Sequence, residues 1–92
     1  MYERVLKQMR EKIRTRQYVM TVHAEEEMDD DLTIFDVERS ILTGEIVDKQ
    51  KDPETKEGKY LVKGHSLSGD EVTTVTKLAP TGKLVIITVY AE

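Results

Sequence analysis

The spacing of apolar residues changes once along this chain, and that change constrains the fold more than any other feature. Before position 44, apolar side chains recur mainly at intervals of three and four residues, as on one face of an α-helix. From Glu45 onward they tend to alternate with polar side chains, as in β-strands with one buried face. The sequence therefore predicts an α+β fold, with helices in the N-terminal half and an antiparallel sheet in the C-terminal half.

Three helices are predicted in the N-terminal half. The first, over residues 2–15, has an apolar stripe and basic opposite faces, which are interpreted as a solvated helix surface. The second is predicted over residues 23–31. Thr33 begins the third with Asp36 in a variant capping box, and Gly44 is expected to end it in a left-handed turn.

Five strands are predicted, one before the second helix and four after the third. The last of them is apolar on both faces, so it is not expected at a sheet edge, where its unpaired backbone would promote aggregation. Pairing with the first strand places it inside the sheet and predicts the strand order 1-5-4-3-2. The helices then pack on one face of a five-stranded, mainly antiparallel sheet. The predicted strands span residues 18–22, 45–51, 59–64, 71–79 and 84–90.

The size and composition of the chain limit its organisation. With 92 residues, 38% of them hydrophobic, the chain has room for one core. Residues 1–92 are therefore expected to form a single domain, with an N-terminal amphipathic helix at 1–16 and the core at 18–92. Cysteine is absent, which excludes disulfides and thiolate sites and favours a cytoplasmic location. No apolar run reaches the roughly 20 residues of a membrane helix, so no membrane partner is expected.

Alternation along the strands predicts which side chains share the sheet face that the helices leave open. In the last strand, Val85, Ile87 and Val89 are assigned to the core because all three are β-branched. Lysine can neutralise phosphate, and tyrosine can stack on a base or relay a proton. An exposed strand face rich in lysine and threonine is also common without any site, so both interpretations stay open. The side chains predicted on this open face are Lys59, Lys63, Lys77, Thr88 and Tyr90.

His23 lies at the start of the second helix, and Glu27 follows one helical turn later. An imidazole and a carboxylate at this spacing can meet, either as a structural cap or as an oriented acid–base pair. A metal site would need a third ligand, and the neighbouring sequence offers none, so no metal is expected. The sequence also has no glycine-rich phosphate-binding loop, so no nucleotide or other cofactor is expected. The acidic run 25–31 is interpreted as a solvated surface, because consecutive carboxylates on a helix point in different directions.

Three short motifs accompany these elements: Val-Met-Thr-Val-His-Ala at 19–24, Thr-Gly-Glu at 43–45 and Thr-Val-Tyr at 88–90. Together with the apolar positions between them, they resemble a bacterial family of small domains of unknown function, allied to the RelE- and BrnT-type toxins. The resemblance covers about residues 18–90. It implies a RelE-like fold of one strand, two helices and four strands.

The resemblance also implies a function. Toxins of this type belong to toxin–antitoxin pairs, inhibit translation as metal-independent ribonucleases that act on mRNA or at the ribosome, and are neutralised by a cognate antitoxin. Their site lies on the open sheet face and combines basic side chains with Tyr, Thr or His. By this resemblance the catalytic candidates are Lys77, Tyr90, Thr88 and His23, and the RNA-binding candidates are Lys59 and Lys63.

Two departures from the family pattern keep a second interpretation open. Many relatives have arginine where Glu27 stands, and the chain has no arginine after Arg39. RelE-type sites use arginine because its planar guanidinium holds phosphate at two points. The alternative function is a non-catalytic protein-binding module with a degenerate RelE-like fold, whose open face docks a partner protein. A homo-oligomer is a further candidate assembly.

Overall fold

The computed structural model describes residues 2–28, 32–51, 53 and 57–91. Its five strands form one sheet in the order β1-β5-β4-β3-β2, with β1 parallel to β5 and all other neighbours antiparallel. The predicted α+β fold and strand order are confirmed, and the terminal strand lies inside the sheet. The elements are α1 (Glu3–Arg14), β1 (Tyr18–Met20), α2 (Val22–Met28), α3 (Ile34–Thr43), β2 (Glu45–Lys51), β3 (Gly58–His65), β4 (Glu71–Leu78) and β5 (Leu84–Ala91).

The first strand is shorter than predicted and the second helix begins earlier. β1 ends at Met20, and Val22 already belongs to α2. The predicted end of the second helix, at residues 29–31, lies outside the described residues. Within the described part of the chain, no helix is both long and apolar enough to cross a membrane.

The core lies between the helices and one face of the sheet. The apolar stripe of α1 contributes Met9 and Ile13, as its spacing predicted, and α3 contributes Val37 and Ile41. Removing these apolar side chains from water is the main favourable contribution to folding. The buried apolar residues are Met9, Ile13, Ala24, Leu32, Val37, Ile41, Val62, Val72, Leu84, Ile86 and Val89.

The predicted capping box at the start of α3 is present. The Thr33 side chain accepts a hydrogen bond from the Asp36 amide, and the Asp36 carboxylate accepts one from the Thr33 amide at 2.9 Å. The same carboxylate also accepts the Leu67 amide of the β3–β4 turn at 2.9 Å. These bonds, first from the Thr33 amide and then from Leu67, hold the pKa of the Asp36 carboxyl below its usual range. Asp36 therefore joins the helix start to a distant turn.

Gly44 ends α3, but not in the expected left-handed turn. Its backbone is extended, with φ −92° and ψ −172°. A β-carbon at this position would overlap the carbonyl oxygen of Ser40 and that of Lys63. Glycine is required here because α3 lies directly against the neighbouring strands, so the need for it is spatial and not conformational.

Arg10 is an exception to the solvated basic surface expected for α1. Its guanidinium donates to the Gly44 carbonyl at 2.8 Å and to the Ile41 carbonyl at 3.4 Å. The last carbonyls of a helix have no partner within the helix itself. Arg10 supplies donors from α1 to the end of α3 and connects the two helices.

The register of β5 against β4 shifts by one residue at Ile87. On β4, Val75 pairs with Thr88 while Thr76 pairs with Ile86, so Ile87 has no partner in this ladder. An extra residue of this kind is a β-bulge, and it reverses which side chains face the core on either side of it.

This bulge changes the predicted assignment of the strand faces. Leu84 and Ile86 are fully buried, whereas Val85 and Ile87 are only partly buried. The assignment of Val85 and Ile87 to the core is therefore wrong. Beyond the bulge, the residues that face the core agree with the prediction, and Val89 is fully buried.

Candidate functional site

Lys63, Thr73 and Tyr90 form a row across the open face of the sheet, one on each of three adjacent strands. We call this the tyrosine row. Neighbouring strands lie about 4.8 Å apart, so the first and last backbones of the row are separated by about 10 Å. Thr73 is 2% exposed and Tyr90 is 41% exposed, so the phenol ring is accessible. The Lys63 ammonium lies 3.4 Å from the Glu71 carboxylate.

The next row consists of Leu61, Val75 and Thr88 on the same three strands. All three side chains are partly exposed. The row places apolar surface directly beside the tyrosine row, with the Thr88 hydroxyl as its polar group. The open face is therefore amphipathic and not uniformly basic.

Lys77 lies at the other end of the open face. Its neighbour on β5 is Val85, and it stands four residues along β4 from the tyrosine row, or about 13 Å. The Lys77 ammonium lies 2.8 Å from the carboxylate of Glu57. The structure thus places Lys77 on the predicted face but does not bring it beside Tyr90.

Lys59 completes the set of predicted lysines. It lies on β3 opposite Gln50 of β2 and is partly exposed. The five side chains predicted for the open face all occupy that face. They divide between its two ends, with Lys63 and Tyr90 in one row and Lys77 in another.

α2 continues along the edge of β5 where β1 stops. The Thr21 amide donates to the Ile86 carbonyl at 3.0 Å, and the Thr21 hydroxyl donates to the Ile87 carbonyl at 2.9 Å. The same hydroxyl accepts the Ala24 amide at 3.1 Å and so caps the start of α2. These bonds fix α2 against the bulged part of β5.

His23 and Glu27 meet as their spacing predicted. The His23 Nε2 atom lies 3.2 Å from Glu27 Oε1, and that same oxygen accepts the Val89 amide at 3.2 Å. The His23 side chain is 67% exposed and that of Glu27 is 27% exposed. One carboxylate oxygen therefore connects an accessible imidazole to the strand that carries Thr88 and Tyr90.

The other acids of α2 make no comparable connection. Glu25 and Glu26 are exposed, in agreement with a solvated acidic surface, and residues 29–31 of that run lie outside the described residues. Across the described ranges, no group of three or more histidine, aspartate or glutamate side chains is arranged to hold a metal ion.

Tyr18 forms a short hydrogen bond on the helix side of the sheet. Its hydroxyl donates to the Glu38 carboxylate at 2.5 Å. Burial, followed by this hydrogen bond, raises the pKa of Tyr18 to about 12. Tyr18 pairs with the buried Leu84, so this contact connects β1 with α3 and lies away from the open face.

A surface pocket of about 550 Å³ lies between α1 and β2, and none of the predicted site residues lines it. Tyr2, Leu6 and Ile46 contribute to its lining together with Arg10. The guanidinium of Arg10 already bonds the end of α3. The predicted site is therefore an open surface, not this pocket.

Sequence reasoning missed three contacts around the candidate residues. Glu57 and Glu71 pair with lysines of the open face, and Glu27 bonds the Val89 amide across 62 positions of sequence. The i,i+4 spacing indicated the contact of Glu27 with His23, but no local pattern could indicate a contact made through the sheet.

These features define a small α+β domain with helices on one face of its sheet and a mixed polar and apolar surface on the other. The chain belongs to the family of domains of unknown function DUF4258, whose family model matches residues 20–91. The match agrees with the predicted resemblance to a small uncharacterised domain. It covers α2, α3, the strands β2 to β5 and the last residue of β1, but not α1. No curated protein and no solved structure matches the chain.

Proposed function

We propose that the protein is the toxin-like component of a toxin–antitoxin pair and cleaves RNA without a metal ion on its open sheet face. The observation that carries this proposal is the arrangement around the last residues of β5. There the carboxylate of Glu27 links His23 to β5, and Tyr90 of the same strand shares a row with Lys63. An imidazole and a phenol can transfer protons, and an ammonium group can stabilise the charge that develops in phosphodiester transfer.

The open face suits a single strand of RNA. The exposed ring of Tyr90 offers a stacking surface for a base, and the apolar row beside it offers further contact area. Lys63 and Lys77 stand at opposite ends of the face, so in this proposal they contact different phosphates. A cognate antitoxin would inhibit the protein by covering the same surface.

The proposed reaction is an internal transesterification. His23 accepts the proton of a ribose 2′-hydroxyl, whose oxygen attacks the adjacent phosphorus while the bond from phosphorus to the 5′ oxygen breaks. The Tyr90 hydroxyl protonates the departing oxygen, and the Lys63 ammonium stabilises the charge of the phosphorane. The products are a 2′,3′-cyclic phosphate and a 5′-hydroxyl. Solvent returns the proton from the imidazolium to the tyrosinate, which regenerates the protein.

The proposal predicts which residues control cleavage. His23→Ala should lower kcat by about 10²–10⁴ because general acid–base catalysis contributes that much. Lys63→Ala should lower it by about 10²–10³. Lys77→Ala should raise KM with little change in kcat, because Lys77 lies away from the tyrosine row. Cleavage of RNA by the purified protein, measured with a chelator present, and growth arrest on induction give the two readouts.

Lys7→Ala is the matched control, since Lys7 is an exposed lysine on α1. It should leave both cleavage and growth arrest at wild-type levels. If the wild-type protein causes no growth arrest and cleaves no RNA on or off ribosomes, the nuclease proposal is wrong.

The ion pairs of the open face favour a second candidate function. Glu57 and Glu71 each pair with a lysine, so much of the positive charge on this face is already neutralised. An amphipathic, nearly neutral sheet face is suited to docking a protein, which is the function of a non-catalytic binding module. Capture of a defined partner that is lost on Leu61→Asp, without any RNA cleavage, would support this alternative.

A further inference from the structure

The edge of β5 is the only part of the described sheet where a helix replaces a neighbouring strand. β1 pairs with β5 only as far as Ile86. Beyond that point, side chains of the next segment supply the hydrogen bonds to β5. The Thr21 hydroxyl donates to the Ile87 carbonyl, and the Glu27 carboxylate accepts from the Val89 amide. Both contacts lie on the same edge, so α2 is held at two points along β5.

Glu27 differs from its neighbours on α2 in a way that matters for His23. Glu25 and Glu26 are exposed, whereas the Glu27 side chain is turned against the strand and is only 27% exposed. Its Oε1 atom lies 3.2 Å from His23 Nε2 and accepts a hydrogen bond from the Val89 amide, also at 3.2 Å. Through Glu27, the position of the imidazole therefore depends on the backbone of β5 as well as on its own helix.

We infer that Glu27 is a positioning residue for His23, an inference that rests on the proposed function. The carboxylate accepts the Nε2–H of the imidazole and so keeps the basic electron pair on Nδ1, which is then available to a ribose hydroxyl. The Val89 amide fixes the carboxylate, and this fixes the imidazole relative to Thr88 and Tyr90. Glu27 touches no substrate atom and acts only through His23.

A merely structural role for Glu27 gives a different expectation. If Glu27 only covers the Val89 amide, its removal loosens the edge of β5 and affects every function of the face alike. If it positions His23, its removal affects catalysis only while the imidazole is present. A double-mutant cycle between the two residues separates these cases.

The experiment measures cleavage of a single-stranded RNA by the full chain in four forms. The forms are wild type, Glu27→Ala, His23→Ala and the double variant. Glu27→Ala should lower kcat by about 10–100-fold, the range found for groups that orient a functional histidine, with KM within about twofold of wild type. In the His23→Ala background, Glu27→Ala should lower kcat by less than about twofold.

Two further variants control for folding. Glu26→Ala removes a neighbouring exposed acid and should leave kcat and KM unchanged. Glu27→Gln keeps an oxygen acceptor for the Val89 amide, so it should retain the wild-type melting temperature while lowering kcat by severalfold. Should Glu27→Ala prove unstable, Glu27→Gln takes its place in the cycle with His23→Ala.

The outcomes separate this inference from the proposed function. Equal losses on changing Glu27 in the presence and absence of His23 would show a structural role and overturn the inference, while cleavage by the wild type would leave the nuclease function standing. An unchanged kcat in both Glu27 variants would have the same meaning. No cleavage by the wild type would overturn the proposed function and this inference with it.

Discussion

Single carboxylates make many of the specific tertiary connections in this molecule. Glu27, Asp36 and Glu38 each join one helix to a group on a distant segment. A carboxylate can accept several hydrogen bonds at once, and charge-assisted bonds are stronger than neutral ones. These contacts therefore orient α2 and α3 against the sheet more specifically than apolar packing does.

The burial of Tyr18 and its hydrogen bond to Glu38 predict a late step in alkaline titration. In the unfolded chain tyrosine loses its proton near pH 10, whereas the folded pKa of Tyr18 is about 12. The folded environment of Tyr18 therefore favours the protonated phenol. This contribution to stability is fully present below pH 10 and disappears as the pH rises through 12. Tyrosinate absorbance should show one of the four tyrosines titrating last, and Tyr18→Phe should remove that step.

The control is the same titration in strong denaturant, where all tyrosines should ionise near pH 10 and no late step should occur. Circular dichroism checks that the protein stays folded through the titrated range. If Tyr18→Phe removes only absorbance that appears near pH 10, neither burial nor the hydrogen bond to Glu38 raises the pKa of Tyr18.

Among the helices, α3 has side-chain hydrogen bonds to its backbone groups at both ends. Thr33 and Asp36 satisfy backbone groups at its start, and Arg10 reaches across from α1 to bond carbonyls at its end. In contrast, α2 is short, and it is held to β5 by the side chains of Thr21, which precedes it, and of Glu27. α3 thus contributes to the rigid core, whereas α2 carries the candidate imidazole at the sheet edge.

The role of Arg10 can be measured as stability. Arg10→Ala should lower the free energy of unfolding by about 1–2 kcal/mol, because it leaves partly buried carbonyls without their charged donor. Arg4→Ala removes an exposed arginine from the same helix and should change stability by less than about 0.5 kcal/mol. Denaturant unfolding of both variants provides the comparison, and equal effects would show that the guanidinium contact contributes nothing specific.

On the scale of the whole molecule, the distribution of charge disfavours the binding of a polyanion such as RNA. The net charge is −4, and glutamates pair with two lysines of the open face. Any RNA phosphate must therefore compete with Glu57 for Lys77 and with Glu71 for Lys63. Salt should weaken RNA binding further, since each phosphate contact releases counterions.

This competition predicts that removing the two glutamates strengthens RNA binding. The double variant Glu57→Gln with Glu71→Gln should bind single-stranded RNA about fivefold more tightly, because exposed ion pairs contribute up to about 1 kcal/mol each. Glu25→Gln with Glu26→Gln changes the net charge equally, but on α2. Fluorescence anisotropy at low salt measures both, and equal gains would mean that only the net charge matters.

Much of the fold could be predicted because its signals are local. The change of apolar spacing indicates the order of helices and strands, and Thr33 with Asp36 marks the start of α3. The position of β5 inside the sheet follows from its two apolar faces, since an edge strand of that kind would aggregate. The residues of the open face could be named from alternation, although their grouping into rows could not.

Only the tertiary structure decided the phase of β5 and the partners of the candidate residues. Leu84, Val85, Ile86 and Ile87 are all apolar, so no alternation in the sequence marks where the bulge reverses the faces. The bond from Glu27 to Val89 joins positions 62 residues apart. Such a contact depends on where the backbone of α2 comes to lie along β5, and the packing of the whole chain determines that placement. Sequence alone determined which elements form and which side chains are candidates for a site, and packing determined which of those side chains meet.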